Sequence, residues 1–166
     1  MRVQPGISAE YHVRRTSVGI VETADWDDRG WAPAETLEIT HFRPESSNHR
    51  PRTFAKLLYK DEGIDGIFQV HDQFVRCLRT NYFDEVWKDS CVEFFAEPKA
   101  SYGYFNFEFN CGGAFLCSHI TNPERTQNGF KEFKRVPWEI GRRIQVWTSL
   151  PRLVEREISE LIIWTL

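Results

Sequence analysis

The residues best suited to recognising a polar ligand stand on two neighbouring stretches. The run Tyr104-Phe105-Asn106-Phe107-Glu108-Phe109-Asn110 alternates without a break. Successive side chains of a β-strand point to opposite faces, so Phe105, Phe107 and Phe109 share one face while Tyr104, Asn106, Glu108 and Asn110 share the other. The phenylalanines are expected in a core. The opposite face then gathers a phenol, two amides and a carboxylate, more hydrogen-bonding capacity than a solvated surface usually concentrates; an ordinary wet sheet surface is the plainer alternative.

The preceding stretch alternates as well, with Val92, Phe94 and Ala96 opposite Cys91, Glu93, Phe95 and Glu97. Just upstream, Trp87 sits in Val86-Trp87-Lys88-Asp89-Ser90, a polar turn entering the strand, where an indole is harder to bury than in mid-strand. An exposed indole beside carboxylates and amides suits a sugar. A pyranose has apolar C–H faces that stack on aromatic rings and a rim of hydroxyls that polar side chains can select. Glu93 and Glu108 together also raise a catalytic alternative, a glycosidase pair, which requires carboxyl groups roughly 5 to 9.5 Å apart in a deep cleft. A chain this short has few loops to build one.

Other chemistries are not supported. No Gly-x-Ser-x-Gly is present, and none of His12, His41, His49, His71 or His119 stands in a recognisable reactive context with a cysteine. Cys77, Cys91, Cys111 and Cys117 form no C-x-x-C pair and have no histidine at zinc-finger spacing. They are expected to be reduced, small and buried.

A length of 166 residues fits one domain, 1–166. The 21 basic residues are scattered and the net charge is −3, so the basic footprint of a nucleic-acid binder is missing. No apolar run approaches the roughly 18 residues of a membrane span, and the N-terminus lacks the apolar stretch of a secretory signal. The expectation is therefore a cytoplasmic protein, or a secreted one if an export signal has been removed, with neither nucleic acid nor membrane as partner. The 13 Phe, 5 Tyr and 6 Trp against a single Met favour sheets, where aromatic side chains fit a pleated, half-buried surface.

The elements that would position these residues are short strands punctuated by turns. Residues 10–14 read as a weak first strand, 25–31 as a loop, 37–42 as a strand and 43–51 as a loop. Residues 53–59 and 67–72 form a hairpin about a turn at 60–66. Residues 91–96, 104–110 and 114–120 form an antiparallel meander. Residues 122–138, with Pro123, Asn128-Gly129 and Pro137, read as a long polar connection of the kind that often carries function. Strands return at 144–150 and from 161 onward, with helical spacing over 152–162 as an alternative there. The expected class is all-β, a two-sheet antiparallel β-sandwich of jelly-roll type.

The run Trp87-Lys88-Asp89-Ser90-Cys91-Val92-Glu93-Phe94-Phe95, followed by residues 104–110, resembles the signature of the family 9 carbohydrate-binding modules in their DOMON-like branch. Phe68-x-Val70-x-Asp72 resembles the strand before it, and Trp26 with residues 51–59 matches the opening pattern, so that the likeness covers about residues 20–166. It implies a non-catalytic sandwich that grips sugars, often at a chain end, between aromatic rings, and that elsewhere is appended to xylan- or cellulose-degrading enzymes. Carried over, Trp87 matches a stacking tryptophan and Glu93 a carboxylate that hydrogen-bonds the sugar. Glu108 stands where better-studied modules have a basic sugar-binding residue, and Asn110 matches a polar position on that face, which Asn106 and Tyr104 share. Similar proteins continue past the position of Leu166 into strands that include a second stacking aromatic. Structural calcium is frequent in such modules, but Asp25, Asp27 and Asp28 lack the spacing of a ligand loop, so the metal is left unassigned. A protein-interaction module, including self-association through an open sheet edge, is the non-sugar alternative.

One sugar ring on one indole buries little area, so affinity is expected in the micromolar to millimolar range. Stacking removes roughly 50 to 100 Å² of ring surface from water, about 1 to 2.5 kcal/mol. Trp87→Ala should therefore weaken sugar binding about tenfold or more by calorimetry, with thermal stability unchanged. A stability loss of about 3 to 5 kcal/mol would instead mark Trp87 as a core residue.

Overall fold

The computed structural model describes residues 10–17, 24–42, 44, 47–61, 63–127, 129–141, 145–148 and 158–165, the last two segments as backbone only. Its strands are β1 (Arg14–Arg15), β2 (Leu37–Ile39), β3 (Arg52–Lys60), β4 (Gly63–Asp72), β5 (Cys91–Ala96), β6 (Tyr104–Asn110), β7 (Phe115–Thr126), β8 (Gly129–Arg135), β9 (Gln145–Thr148) and β10 (Ile158–Thr165), with one short helix, α1 (Trp138–Gly141). They form two sheets. The first runs β1-β3-β4-β10-β9, with β2 also on β3, and the second is the meander β5-β6-β7-β8. All pairings are antiparallel except the two-residue match of β1 to β3.

Alternation assembles the core. Phe107 and Phe109 of β6, Phe115 and Cys117 of β7, and Ala55, Leu57 and Phe68 of the first sheet form one buried cluster, against which Val92, Phe94, Ala96 and Phe105 pack. The expected register of β6 is therefore observed, with its phenylalanines between the sheets. A second cluster lies on the outer face of the first sheet, where residues 24–34 lay Ala24 and Trp31 over Leu58 and Ile67. In that segment the carboxylates of Asp25 and Asp28 accept from the amides of Asp27 (2.9 Å) and Gly30 (2.7 Å), the usual work of aspartate in a turn.

β5 and β6 lie where the sequence puts them, but several neighbours differ. The first strand holds only Arg14–Arg15 and the second stops at Ile39. The β3–β4 hairpin is tighter than a 60–66 turn, because Lys60 already pairs with Gly63 and Gly66 sits in the ladder opposite Leu57. The long connection expected over 122–138 is instead a hairpin: β7 runs on to Thr126 and returns as β8 from Gly129. Pro123 is accommodated because the register shifts between Ile120 and Asn122 and again between Asn122 and Arg125, so no ladder bond is required of its missing N–H. Gly129 takes φ 107°, the positive value that favours glycine after asparagine in a tight hairpin. Residues 158–162 are strand, which removes the helical alternative there; 151–157 lie outside the described residues.

Within residues 73–90, which connect the sheets, one carboxylate ties the connection to β6. The buried Asp89 side chain accepts from the amides of Leu78 (2.9 Å) and Arg79 (2.8 Å) and from Asn110 Nδ2 (3.0 Å). Asn110 Nδ2 also donates to the Arg79 carbonyl (2.9 Å), and Asn110 Oδ1 accepts from the amides of Gly112 (3.1 Å) and Ala114 (2.9 Å). One side chain thus ties the end of β6 both to the β6–β7 turn and to the connection. Asn110→Ala should destabilise the fold by about 2 to 4 kcal/mol in urea denaturation, because it takes one donor from Asp89 and strands the amides of Gly112 and Ala114. Asp89→Ala should cost a similar amount, and the double variant less than their sum. Burial pushes the Asp89 carboxyl up, but the amides of Arg79 and Leu78 and the Asn110 amide outweigh it and leave it below the usual carboxylate value. Its stabilisation should therefore be present at neutral pH and be lost as pH falls through the carboxylate range.

Candidate functional site

The face of the second sheet that turns away from the core carries the chemistry. Pairing sets Glu93 of β5 directly opposite Glu108 of β6, which in turn faces Leu116 of β7; the next row runs Phe95, Asn106, Ser118 and Arg135. This is not a wet surface. Asn106, Glu108 and Ser118 are only 3%, 8% and 6% exposed, as well shielded as the phenylalanines behind them. Asn106 Nδ2 donates to Glu108 Oε1 at 2.7 Å, while the remaining oxygens, Asn106 Oδ1 and Glu108 Oε2, are buried with no hydrogen-bond partner. Two adjacent acceptors therefore lack a donor in a setting where that is costly.

Electrostatics follow from this placement. Burial, and then the Glu93 carboxylate across the strand pair, push the Glu108 carboxyl up to about 7, against partial relief from the Asn106 amide and the Arg125 guanidinium. At neutral pH Glu108 is thus divided between charged and neutral forms. Glu93 is exposed and stands at the free edge of β5, where it borders a groove of about 310 Å³ between the sheets, with Phe68, Val70 and Val92 on its apolar side and Asp72 and Ser90 on its polar one.

Aromatic side chains surround the buried rows. A 3-10 turn, Val86–Lys88, packs Val86 with Leu116 and Ala114, against which Phe83 and Cys91 also lie; this seats the turn on the outer face of the sheet beside the Glu93 row. Trp87, next in that turn, is half exposed. The Arg135 guanidinium covers the Phe83 ring at 4.3 Å. Further along the face, Phe95 lies 5.9 Å from Tyr104, Tyr104 lies 6.5 Å from Phe130, and Arg125 covers Phe130 at 3.7 Å.

Of the residues singled out from sequence, Glu93, Glu108, Asn106 and Tyr104 share this face, and Trp87 stands on the turn packed against it. Asn110 does not join them, since it is fully buried and its amide is committed to the turn network described above. Sequence reasoning missed Ser118, Phe83, Arg125, Phe130 and Arg135. The alternation of residues 115–120 places Ser118 on the Glu108 face, whereas the β8 contributors were hidden by taking 122–138 for a loop. Among the described residues no group of three or more His, Cys, Asp or Glu could hold a metal ion.

Comparison with known proteins bears on the fold and the family. A search of curated proteins returned no match. Among solved structures, a Bacteroides uniformis protein provisionally assigned to carbohydrate binding superposes with a TM-score of 0.68 at 22% identity, over 81% of this chain and 60% of the other. At that identity the likeness speaks for the fold, and the present chain spans only those three-fifths of its neighbour's length. The family description for carbohydrate-binding family 9 matches residues 31–166, which include every strand from β2 onward and the whole candidate face. By that match the chain belongs to carbohydrate-binding family 9.

Proposed function

We propose that this chain binds a carbohydrate without transforming it, the ring of the sugar lying on Trp87 and its hydroxyls donating to Glu93 and to the Asn106–Glu108 pair. The observation that carries the reading is a half-exposed indole on the turn that packs, through Val86, against the sheet face whose buried acceptors the fold leaves without donors. Hydroxyls supply donors, and an indole supplies area for an apolar ring face. Glu93 is met directly from solvent. Contact with Asn106 Oδ1 or Glu108 Oε2 requires rim side chains to turn aside, since both oxygens are shielded in the unliganded fold.

The same shielding favours binding over hydrolysis. A general acid must bring its proton within hydrogen-bond reach of the glycosidic oxygen. Glu108 has one oxygen engaged by Asn106 and the other buried, so it is poorly presented for that role although its carboxyl titrates near neutrality. The family's character as a set of binding modules supports the same choice. Mono- and oligosaccharide fragments of plant polysaccharides are the ligands to try first.

The test is a glycan array on the purified protein followed by calorimetry. We expect at least one oligosaccharide to bind, Glu93→Gln to weaken it about tenfold, and no product to form on long incubation. Failure to bind any sugar at millimolar concentration by folded protein would refute the reading, and released sugar would replace it with hydrolysis. The Glu108 carboxyl generates a separate expectation. Its folded value is raised from the ordinary 4.5 to about 7, so the stability it contributes is full below about pH 4.5 and is lost as pH rises through 7. Thermal denaturation should show a loss on the order of 2 to 3 kcal/mol across that interval, and Glu108→Gln should flatten it.

A further inference from the structure

Two of the four cysteines approach each other across the connection that carries the Trp87 turn. Cys111 Sγ lies 3.4 Å from the carbonyl oxygen of Arg76, the residue bonded to Cys77. Reciprocally, a Cβ placed on Gly112, the residue bonded to Cys111, would stand 2.2 Å from Cys77 Sγ, so the sulfur fills space that only glycine leaves open there. Each sulfur thus lies against the backbone flanking the other cysteine. Ser90 clamps the two segments together, its amide donating to the Arg76 carbonyl (2.8 Å) and its carbonyl accepting from the Cys111 amide (3.0 Å). Cys91 and Cys117 differ. Burial raises the thiols of both, that of Cys117 to about 12; Cys91 follows Ser90 but packs against Val86, Ala114 and Leu116, and Cys117 lies within β7 in the core between the sheets.

We infer that Cys77 and Cys111 form a reversible disulfide that pins the connection between the sheets to the β6–β7 turn. The oxidant is a small-molecule disulfide. Cys77 is exposed and Cys111 buried, so the Cys77 thiolate attacks first, displacing one small thiol and forming a mixed disulfide. Cys111, having lost its proton, then attacks the Cys77 sulfur, completing the Cys77–Cys111 bond and releasing the second small thiol. Two protein thiols are oxidised and one disulfide is reduced to two thiols. The bond would close 35 residues of chain, positions 77 to 111, into a covalent ring that contains Trp87, Asp89, Glu93 and Glu108. Loop closure of that length restricts the unfolded chain more than the folded one and so stabilises the native state. The inference stands independently of what the outer face binds.

The experiment uses the full chain, incubated natively with oxidised glutathione, then denatured, alkylated and mapped by mass spectrometry. We expect an intact mass about 2 Da below the reduced protein and a linked peptide pair holding Cys77 and Cys111. The melting temperature should exceed that of the reduced protein by about 5 to 10 °C. Cys77→Ser removes an exposed thiol and should fold normally, yet show neither the linked pair nor the shift. Four alkylated thiols after the native incubation would overturn the inference. So would Cys77 held only as a stable glutathione adduct, or a link to Cys91 or Cys117.

Discussion

The period of two along β6 is the constraint on which the rest depends. β6 lies between β5 and β7, and burying Phe107 and Phe109 between the sheets leaves Asn106 and Glu108 no choice of face. A slip of one residue would drive a carboxylate into the core and a phenylalanine out of it, which the hydrophobic term alone forbids. The same register sets Glu93 opposite Glu108 and Ser118 beside Asn106. The polar cluster is thus a by-product of packing the aromatic core, and the core supplies the rigidity that holds it in place.

Two carboxylates show how placement decides role. Asp89 and Glu108 are both removed from water, yet Asp89 receives three donors and is held as a charged tie between the connection and β6. Glu108 receives one, faces another carboxylate, and has its titration moved to about 7. All three donors reach Asp89 Oδ2, and its other oxygen, though without a hydrogen bond, has the Arg76 guanidinium 3.5 Å away. Glu108, with Asn106, is incomplete without a donor from outside, and a buried polar atom left in that condition is a cost that natural structures tolerate mainly where a ligand or water completes it. That contrast separates the structural network around Asn110 from the proposed binding face, although both share one strand.

Much of this was legible in the sequence because alternation is local. Residues 91–96 and 104–110 declare both their strands and their faces, and the antiparallel pairing of neighbouring strands follows from short connections. What was not legible depends on partners distant in the chain. Asn110 matches the face by parity, but its amide is taken by backbone groups of residues 79, 112 and 114 that no local pattern reveals. The β7–β8 hairpin was obscured by Pro123, which argues against a strand unless a bulge excuses it, even though Asn128-Gly129 is a strong turn signal. Burial of the polar face was also invisible, since the turn carrying Val86 and the strand β8, which flank that face, are far from β6 in the chain.

Ligand recognition is proposed for the outer face of the β5–β8 sheet. Backbone amide and indole N–H resonances in a nitrogen-15 correlation spectrum, followed while an oligosaccharide is titrated, test it most directly. Binding on that face produces saturable shifts of the Trp87 indole and of the Glu93, Asn106 and Glu108 amides, with the β3 and β4 amides unmoved. Shifts concentrated on β3 and β4, with Trp87 silent, would contradict it.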